Sequence, residues 1–226
     1  MNQPLIDAPL RPPRSQTTQH LVPDSDAIAL LEPFERLGLG DITLVSTGAQ
    51  ARAAHAALAG APAWGFDTES KPTFRVGDVS DGPHIVQLAT RDHAWVFQLH
   101  DPECREVVAQ LMTLPGHVKA GFGLGDDRKR IISKLGVQPE GVLELNTLFR
   151  DKGYRKEMGV KGAVAVLFNR RFIKSKKAAT SNWANRQLTE AQLVYAANDA
   201  YAALRVYDRL VAGSTLGNDG ASHARA

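Results

Sequence analysis

The sequence predicts an α/β domain with a mixed sheet, an antiparallel meander followed by parallel strands, flanked by helices. Three observations carry this reading. Two apolar runs of strand length, HIVQLAT (84–90) and HAWVFQL (93–99), sit one short turn apart, which is a hairpin signal. From residue 102 onward, helix-like and strand-like segments alternate, as parallel pairing with helical crossovers requires. At 226 residues and 43% hydrophobic, the chain can bury one full core.

In order, residues 1–25 are rich in Pro, Gln and Thr without periodicity, and are expected to be a flexible arm. DAIALLEPFERLG (26–38) has room for a short helix, and ITLVST (42–47) is a strand candidate. AQARAAHAALAG (49–60) is an Ala-rich helix stopped at Gly60, and WGFDTE (64–69) is a short interior strand. The Gly/Pro/Asp-rich stretch 70–83 is expected to be loop; the hairpin follows and completes the meander. PECREVVAQLMTL (102–114) has helical spacing and ends at Pro115 and Gly116. HVKAGFG (117–123) is a strand, DDRKRIISKLG (126–136) a helix, and VLELNTLF (142–149) a last strand or a passage from strand to helix. Residues 157–168 look helical, NRRFIKSKKAATSNW (169–183) a basic loop, and a long helix runs from about 190 to 211. The tail, 212–226, has too little apolar content to pack and is expected to be disordered. Residues 26–211 thus form a single domain.

The start of the last helix is the sharpest local signal. LTEAQL (188–193) is a capping box, with Thr189 as N-cap and Gln192 at N3, and Leu188 and Leu193 stand at the positions of a hydrophobic staple. Tyr195 and Asp199, four apart, share one face of this helix. Around them lie Ala196, Ala197, Ala200, Ala202 and Ala203, small enough for the helix to approach the sheet closely. An acid there is poorly solvated and calls for a partner.

WGFDTE raises the same question. Side chains alternate along a strand, so Asp67 and Glu69 project from one face and Thr68 from the other. Two carboxylates held side by side repel unless a cation lies between them. A second acidic pair, Asp126–Asp127, opens the helix after HVKAGFG. At about 100° per residue the apolar stripe of that helix is Ile131, Ile132 and Leu135. Asp126 then lies opposite with Lys129, Arg130 and Ser133, Asp127 lies at the stripe's edge, and Arg128 falls near its middle.

Composition narrows the remaining classes. A net charge of +3 and pI near 9.1 suit an anionic partner without demanding one. A single cysteine, Cys104, allows no internal disulfide and fits a reducing, cytoplasmic setting. No apolar run is long enough to span a membrane, and the first twenty residues lack a signal-peptide core. The glycines of GFGLGDD are spaced G-x-G-x-G, which does not make a dinucleotide fingerprint. The seven histidines show no metal-ligand spacing.

The acidic sites in order, GFDTE (65–69), KAGFGLGDD (119–127) and SNWANRQLTEAQLVYAANDAYAALRVYDRL (181–210), resemble the DEDD superfamily of 3′-to-5′ exonucleases. They are similar to its tyrosine subclass, in the Werner-type and ribonuclease D branches, over roughly residues 40–211. The resemblance implies a ribonuclease H-like fold and makes Asp67, Glu69, Asp127 and Asp199 the metal-binding acids. It implies two divalent ions, Mg²⁺ or Mn²⁺, with Tyr195 positioning the attacking water. The histidine subclass would place a histidine five residues before the last Asp, where this chain has Val194. The implied partner is a single-stranded 3′ end of DNA or RNA, with Arg170, Arg171, Lys174, Lys176 and Lys177 expected along its phosphates. Trp183 is left as either a platform for a base or an anchor of its loop. A ribonuclease D-like RNA or oligonucleotide nuclease stays open beside a general exonuclease; a non-catalytic binding module is disfavoured by the complete set of acids.

Overall fold

The structure, a computed structural model, describes residues 20–73 and 81–218, with side chains to residue 212. Most of the expected arm, the centre of the loop 70–83 and the end of the tail lie outside these residues.

A six-stranded sheet organises the chain, in the order β1-β4-β3-β2-β5-β6. β2 (Ala63–Glu69), β3 (Ile85–Ala89) and β4 (Ala94–Gln98) form the antiparallel meander, with Asp67 opposite Gln87 and Val86 opposite Phe97. The β3–β4 turn closes through the Thr90 amide, which donates to the His93 carbonyl at 2.8 Å. β1 (Ile42–Val45) adds parallel to β4, β5 (Val118–Gly121) parallel to β2, and β6 (Val142–Glu144) parallel to β5. Only β3 runs against the rest. The carboxyl ends of five strands therefore share one edge of the sheet, and the acids of WGFDTE lie on it.

Helices cover both faces. α1 (Ser25–Ala29) is a single short turn preceding the sheet. α2 (Gly48–Leu58), α3 (Pro102–Thr113) and α4 (Leu124–Leu135) close one face over Trp64, Phe66, Val86, Leu88 and Phe97. On the other face, α5 (Leu145–Asp151), α6 (Val160–Phe168), the short α7 (Lys176–Ala179) and the long α8 (Glu190–Asn218) enclose Ile85, Ala89, Ala94, Val96 and Ala120. No helix among the described residues is long and apolar enough to cross a membrane.

The capping box at α8 is present in both directions. The Thr189 amide donates to Gln192 Oε1 at 3.0 Å, and the Gln192 amide donates to Thr189 Oγ1 at 3.3 Å. VLELNTLF resolves into a strand that turns directly into α5, with Glu144 as the cap of that helix. The basic stretch 169–183 is not all loop, because Ser175 caps α7 within it. α8 continues to Asn218, past residue 211, since an anchored helix extends at little cost per residue.

One glycine decides how α8 sits. A methyl group at Gly65 would fall inside the Ala200 peptide carbonyl. Only glycine lets the helix backbone lie against β2, and that contact carries Asp199 to the end of the strand.

Candidate active site

The alternation along β2 distributes the site over the two faces of the sheet. Gly65, Asp67 and Glu69 point toward α8, and one carboxylate oxygen from each of Asp67, Glu69 and Asp199 lies within 4.8 Å of the others. Thr68 points to the opposite face, where its hydroxyl makes a short hydrogen bond to Asp127 Oδ1. Asp127 is therefore joined to the cluster through the strand and stands outside the three-carboxylate group. Sequence reasoning left Thr68 without a role, although its place between two acids on the alternate face was the signal.

Asp126 and Asp127 separate as their helical phase predicts. Asp126 is exposed and ion-paired with Lys129 at 3.0 Å, whereas Asp127 is half-buried. The expectation for Arg128 is corrected: it is exposed, and the buried residues of α4 are Leu124 and Ile131. The helix begins two residues earlier than expected and is covered on its Asp127 side, where Thr68 reaches it. That early start depends on Gly123, whose φ of 69° is a left-handed conformation that glycine adopts without strain. Glu144 completes the junction, its Oε2 accepting from the Leu124 amide at 2.9 Å.

Burial sets the electrostatics. Asp67 is pushed well above the usual carboxylate range by desolvation, then by the charges of Asp199 and Asp127. Glu69 is raised to about 9 by burial, then by Asp67 and Asp199. Asp199, 5% exposed, is raised by burial while Lys174 and the Tyr195 hydroxyl favour its ionised form. Asp127 is raised by desolvation against the opposing hydrogen bond from Thr68. Tyr195 is held above the ordinary phenol range by burial and by Asp199, so its hydroxyl keeps its proton and acts as a hydrogen-bond donor.

Lys174 brings a cation into contact with this site. Its ammonium lies 2.6 Å from Asp199 Oδ2 and 5.1 Å from the centre of the Tyr195 ring. Burial opposes its charge, but Asp199 and Tyr195 outweigh burial and hold it above the usual lysine range. Charge balance thus draws Lys174 toward the carboxylates, whereas Lys176 and Lys177 are exposed.

The other basic residues divide. Arg170, Lys176 and Lys177 are exposed. Arg171 is engaged in structure: its backbone pairs with Glu32 and Phe34, and its guanidinium donates to the Ala29 carbonyl at 2.9 Å. It straps residues 29–34 to the domain, and its Nε is buried without a hydrogen-bond partner. Trp183 is 1% exposed, with its ring 5.8 Å from that of Tyr195, so of its two readings the structure has the loop anchor. A buried ring has no open face for a base to stack on.

Two further features had no signal in the sequence. A cavity of about 340 Å³ opens beside Asp67 and Asp199, walled by Phe66, Phe122, Met158 and Val160, with Asn146 at its rim. Asn146 shapes it by accepting the Met158 amide at 2.9 Å. Gln87, directly across the ladder from Asp67, is fully buried with neither amide atom hydrogen-bonded.

A sheet edge carrying three converging carboxylates, with a tyrosine hydroxyl and a fourth acid beside them, is an arrangement that can hold hard divalent cations. The model of a 3′-5′ exonuclease domain matches residues 42–212, and the chain belongs to that family. The mouse bifunctional 3′-5′ exonuclease/ATP-dependent helicase WRN is 29% identical over 148 residues, which are 65% of this chain and 11% of that protein. The chain thus corresponds to a small part of that relative's length. Among solved structures, the Nibbler exonuclease domain of Aedes aegypti superposes with a TM-score of 0.68 at 23% identity, covering 80% of this chain and 92% of that one. Ribonuclease D of Escherichia coli gives a TM-score of 0.68 at 19% identity, covering 78% and 46%.

Proposed function

We propose that the chain is a metal-dependent 3′-5′ exonuclease that removes nucleoside 5′-monophosphates from DNA or RNA in a reducing, cytoplasmic setting. The observation that carries this reading is the convergence of Asp67, Glu69 and Asp199 within 4.8 Å. Carboxylates at that separation, pushed toward protonation by burial and mutual repulsion, suit hard divalent cations as counter-charges. Lys174 stands where part of that positive charge is needed. Asp67 is central to the set, Glu69 and Asp199 complete it, and Asp127 contributes from the far side of Thr68. Two divalent cations, Mg²⁺ or Mn²⁺, would supply an activated water and neutralise the charge on the leaving 3′ oxygen.

The chain's own groups do the rest. Tyr195 remains protonated and orients the attacking water through its hydroxyl. The apolar walls of the cavity beside Asp67 suit a nucleobase, with Asn146 as a hydrogen-bonding group at its rim. Exposed Arg170, Lys176 and Lys177 lie just ahead of α8, where they favour the approach of a polyanion.

The product identifies the chemistry. Incubation with unlabelled single-stranded oligonucleotides and Mn²⁺, resolved by chromatography, should release nucleoside 5′-monophosphates from DNA, RNA or both. Release of nucleoside 3′-monophosphates would exclude cleavage with a 3′-oxygen leaving group.

A further inference from the structure

A second cavity, of about 320 Å³, lies on the other side of the carboxylates from the apolar one, at the carboxyl ends of β2 and β4. Four cations from four separate segments converge on it: Lys71 after β2, Arg105 from α3, Lys134 from the last turn of α4 and Arg186 from the loop before α8. Among the described residues, Asp81 is the one acid on its wall. That carboxylate contacts Lys71 at 3.1 Å and His84 at 3.3 Å, and Lys134 Nζ donates to the Asp81 backbone carbonyl at 2.8 Å. His84 is held below the usual histidine range by burial, with Lys134 and Lys71 adding to the effect against the pull of Asp81, which disfavours a further positive charge there. Arg105 donates to the Leu99 and His100 carbonyls, which fixes its guanidinium at the wall. The Arg186 side chain makes no hydrogen bond or ion pair among the described residues. Like charges gathered in a concave site repel one another unless an anion joins them.

The cavity is tied to the carboxylates by short connections. The His84 amide donates to the Glu69 carbonyl at 2.9 Å, and Trp183, which lines the cavity, packs its ring against that of Tyr195. An extended strand with its scissile bond at Asp67 and Glu69 has this basic hollow beside it.

We propose that this cavity is a phosphate-binding subsite, taking a phosphate group of the strand being hydrolysed and so fixing where the 3′ end lies against the carboxylates. The proposal rests on the exonuclease reading and names which side of the site grips the strand's charge. Lys134 and Arg186 bind the phosphate directly, and Lys71 is shared with Asp81.

The test uses the full chain carrying Asp67→Asn to stop turnover, with a 5′-fluorescein single-stranded oligonucleotide in a salt series followed by anisotropy. Adding Lys134→Ala and Arg186→Ala should raise Kd about 3- to 10-fold and flatten the salt slope by about 0.7 for each phosphate no longer neutralised. Arg186→Ala alone removes an exposed, unpaired side chain and should show part of the effect at an unchanged Tm. Oligonucleotides ending in a 3′-hydroxyl and a 3′-phosphate separate the two sources. Equal weakening assigns the site to a backbone diester, and weakening confined to the 3′-phosphate assigns it to a terminal monoester. Unchanged affinity and slope in both variants, with tight binding by the Asp67→Asn parent, would overturn the subsite and leave the exonuclease reading standing. A parent that binds neither oligonucleotide, together with a wild-type chain that releases no nucleotide, would remove both.

Discussion

Each carboxylate at the end of β2 is defined by which cation it meets. In the metal-free chain Glu69 keeps its proton up to about pH 9, because burial and the charges of Asp67 and Asp199 oppose ionisation. In the unfolded chain it releases that proton near the ordinary glutamate value. A pKa raised in the folded state gives stability that is complete below the unfolded value and is lost as pH rises through the folded one. The chelated protein should therefore lose Tm between about pH 5 and 9, whereas a bound divalent ion offsets the loss. The rise in Tm on adding Mn²⁺ should grow with pH across this range, because metal and protons compete for the same oxygens. A pH-independent rise, measured by scanning calorimetry, would place the metal elsewhere. Lys174 competes in the same way, since its ammonium already sits on Asp199. Lys174→Met should bind Mn²⁺ several-fold more tightly than wild type in calorimetric titration without nucleic acid; weaker binding would make the lysine a support of the metal site. The two neighbours at the start of α4 give a third comparison. Asp127→Asn should lower activity by several orders of magnitude and Asp126→Asn only a few-fold, as steady-state rates on folded protein would report, because Asp126 is exposed and paired with Lys129.

At the scale of elements, the decisive contact is α8 on β2. Gly65 has no room for a side chain beneath Ala200. Gly65→Ala should push the helix outward, costing about 1–3 kcal/mol of stability by overpacking. It should also lower kcat about 10-fold or more, because a displacement near 1 Å at a catalytic group is enough for about 10²-fold. Denaturant unfolding and steady-state rates measure the two effects together, and a kcat equal to wild type in a folded variant would mean that the placement of Asp199 does not depend on this contact. The sequence made much of this element legible. The capping box announced the start of α8, and the alanines around Asp199 announced a close approach to a sheet. Strand alternation separated Asp67 and Glu69 from Thr68. The span 169–183 was read less well, because basic composition reports solvation and not the Ser175 cap that starts α7. The burial of Trp183, the inward turn of Lys174 and the strap made by Arg171 depend on partners 12 to 142 residues away. Local pattern carries no trace of such pairings. The start of α4 was missed by two residues because a left-handed glycine cap has no side chain to betray it.

Over the whole molecule, the single reversed strand β3 leaves five carboxyl ends on one edge of the sheet, and both cavities open there beside the acids. The apolar cavity lies toward β5 and β6, the basic one toward β4, and the carboxylates lie between them. With the proposed base on one side and the proposed phosphate on the other, a strand would have one way to cross the site, the condition for stepwise removal of residues from an end. The central claim is that the carboxylates at that edge drive cleavage from the 3′ end only with a divalent ion. The most direct measurement is gel analysis of a 5′-labelled single-stranded oligonucleotide digested with Mg²⁺ or Mn²⁺, with EDTA, and with the Asp67→Asn chain. A ladder descending one nucleotide at a time in the presence of metal, absent with EDTA and with Asp67→Asn, is the predicted result. Equal cleavage in EDTA, or immediate release of the labelled 5′ nucleotide, would contradict it.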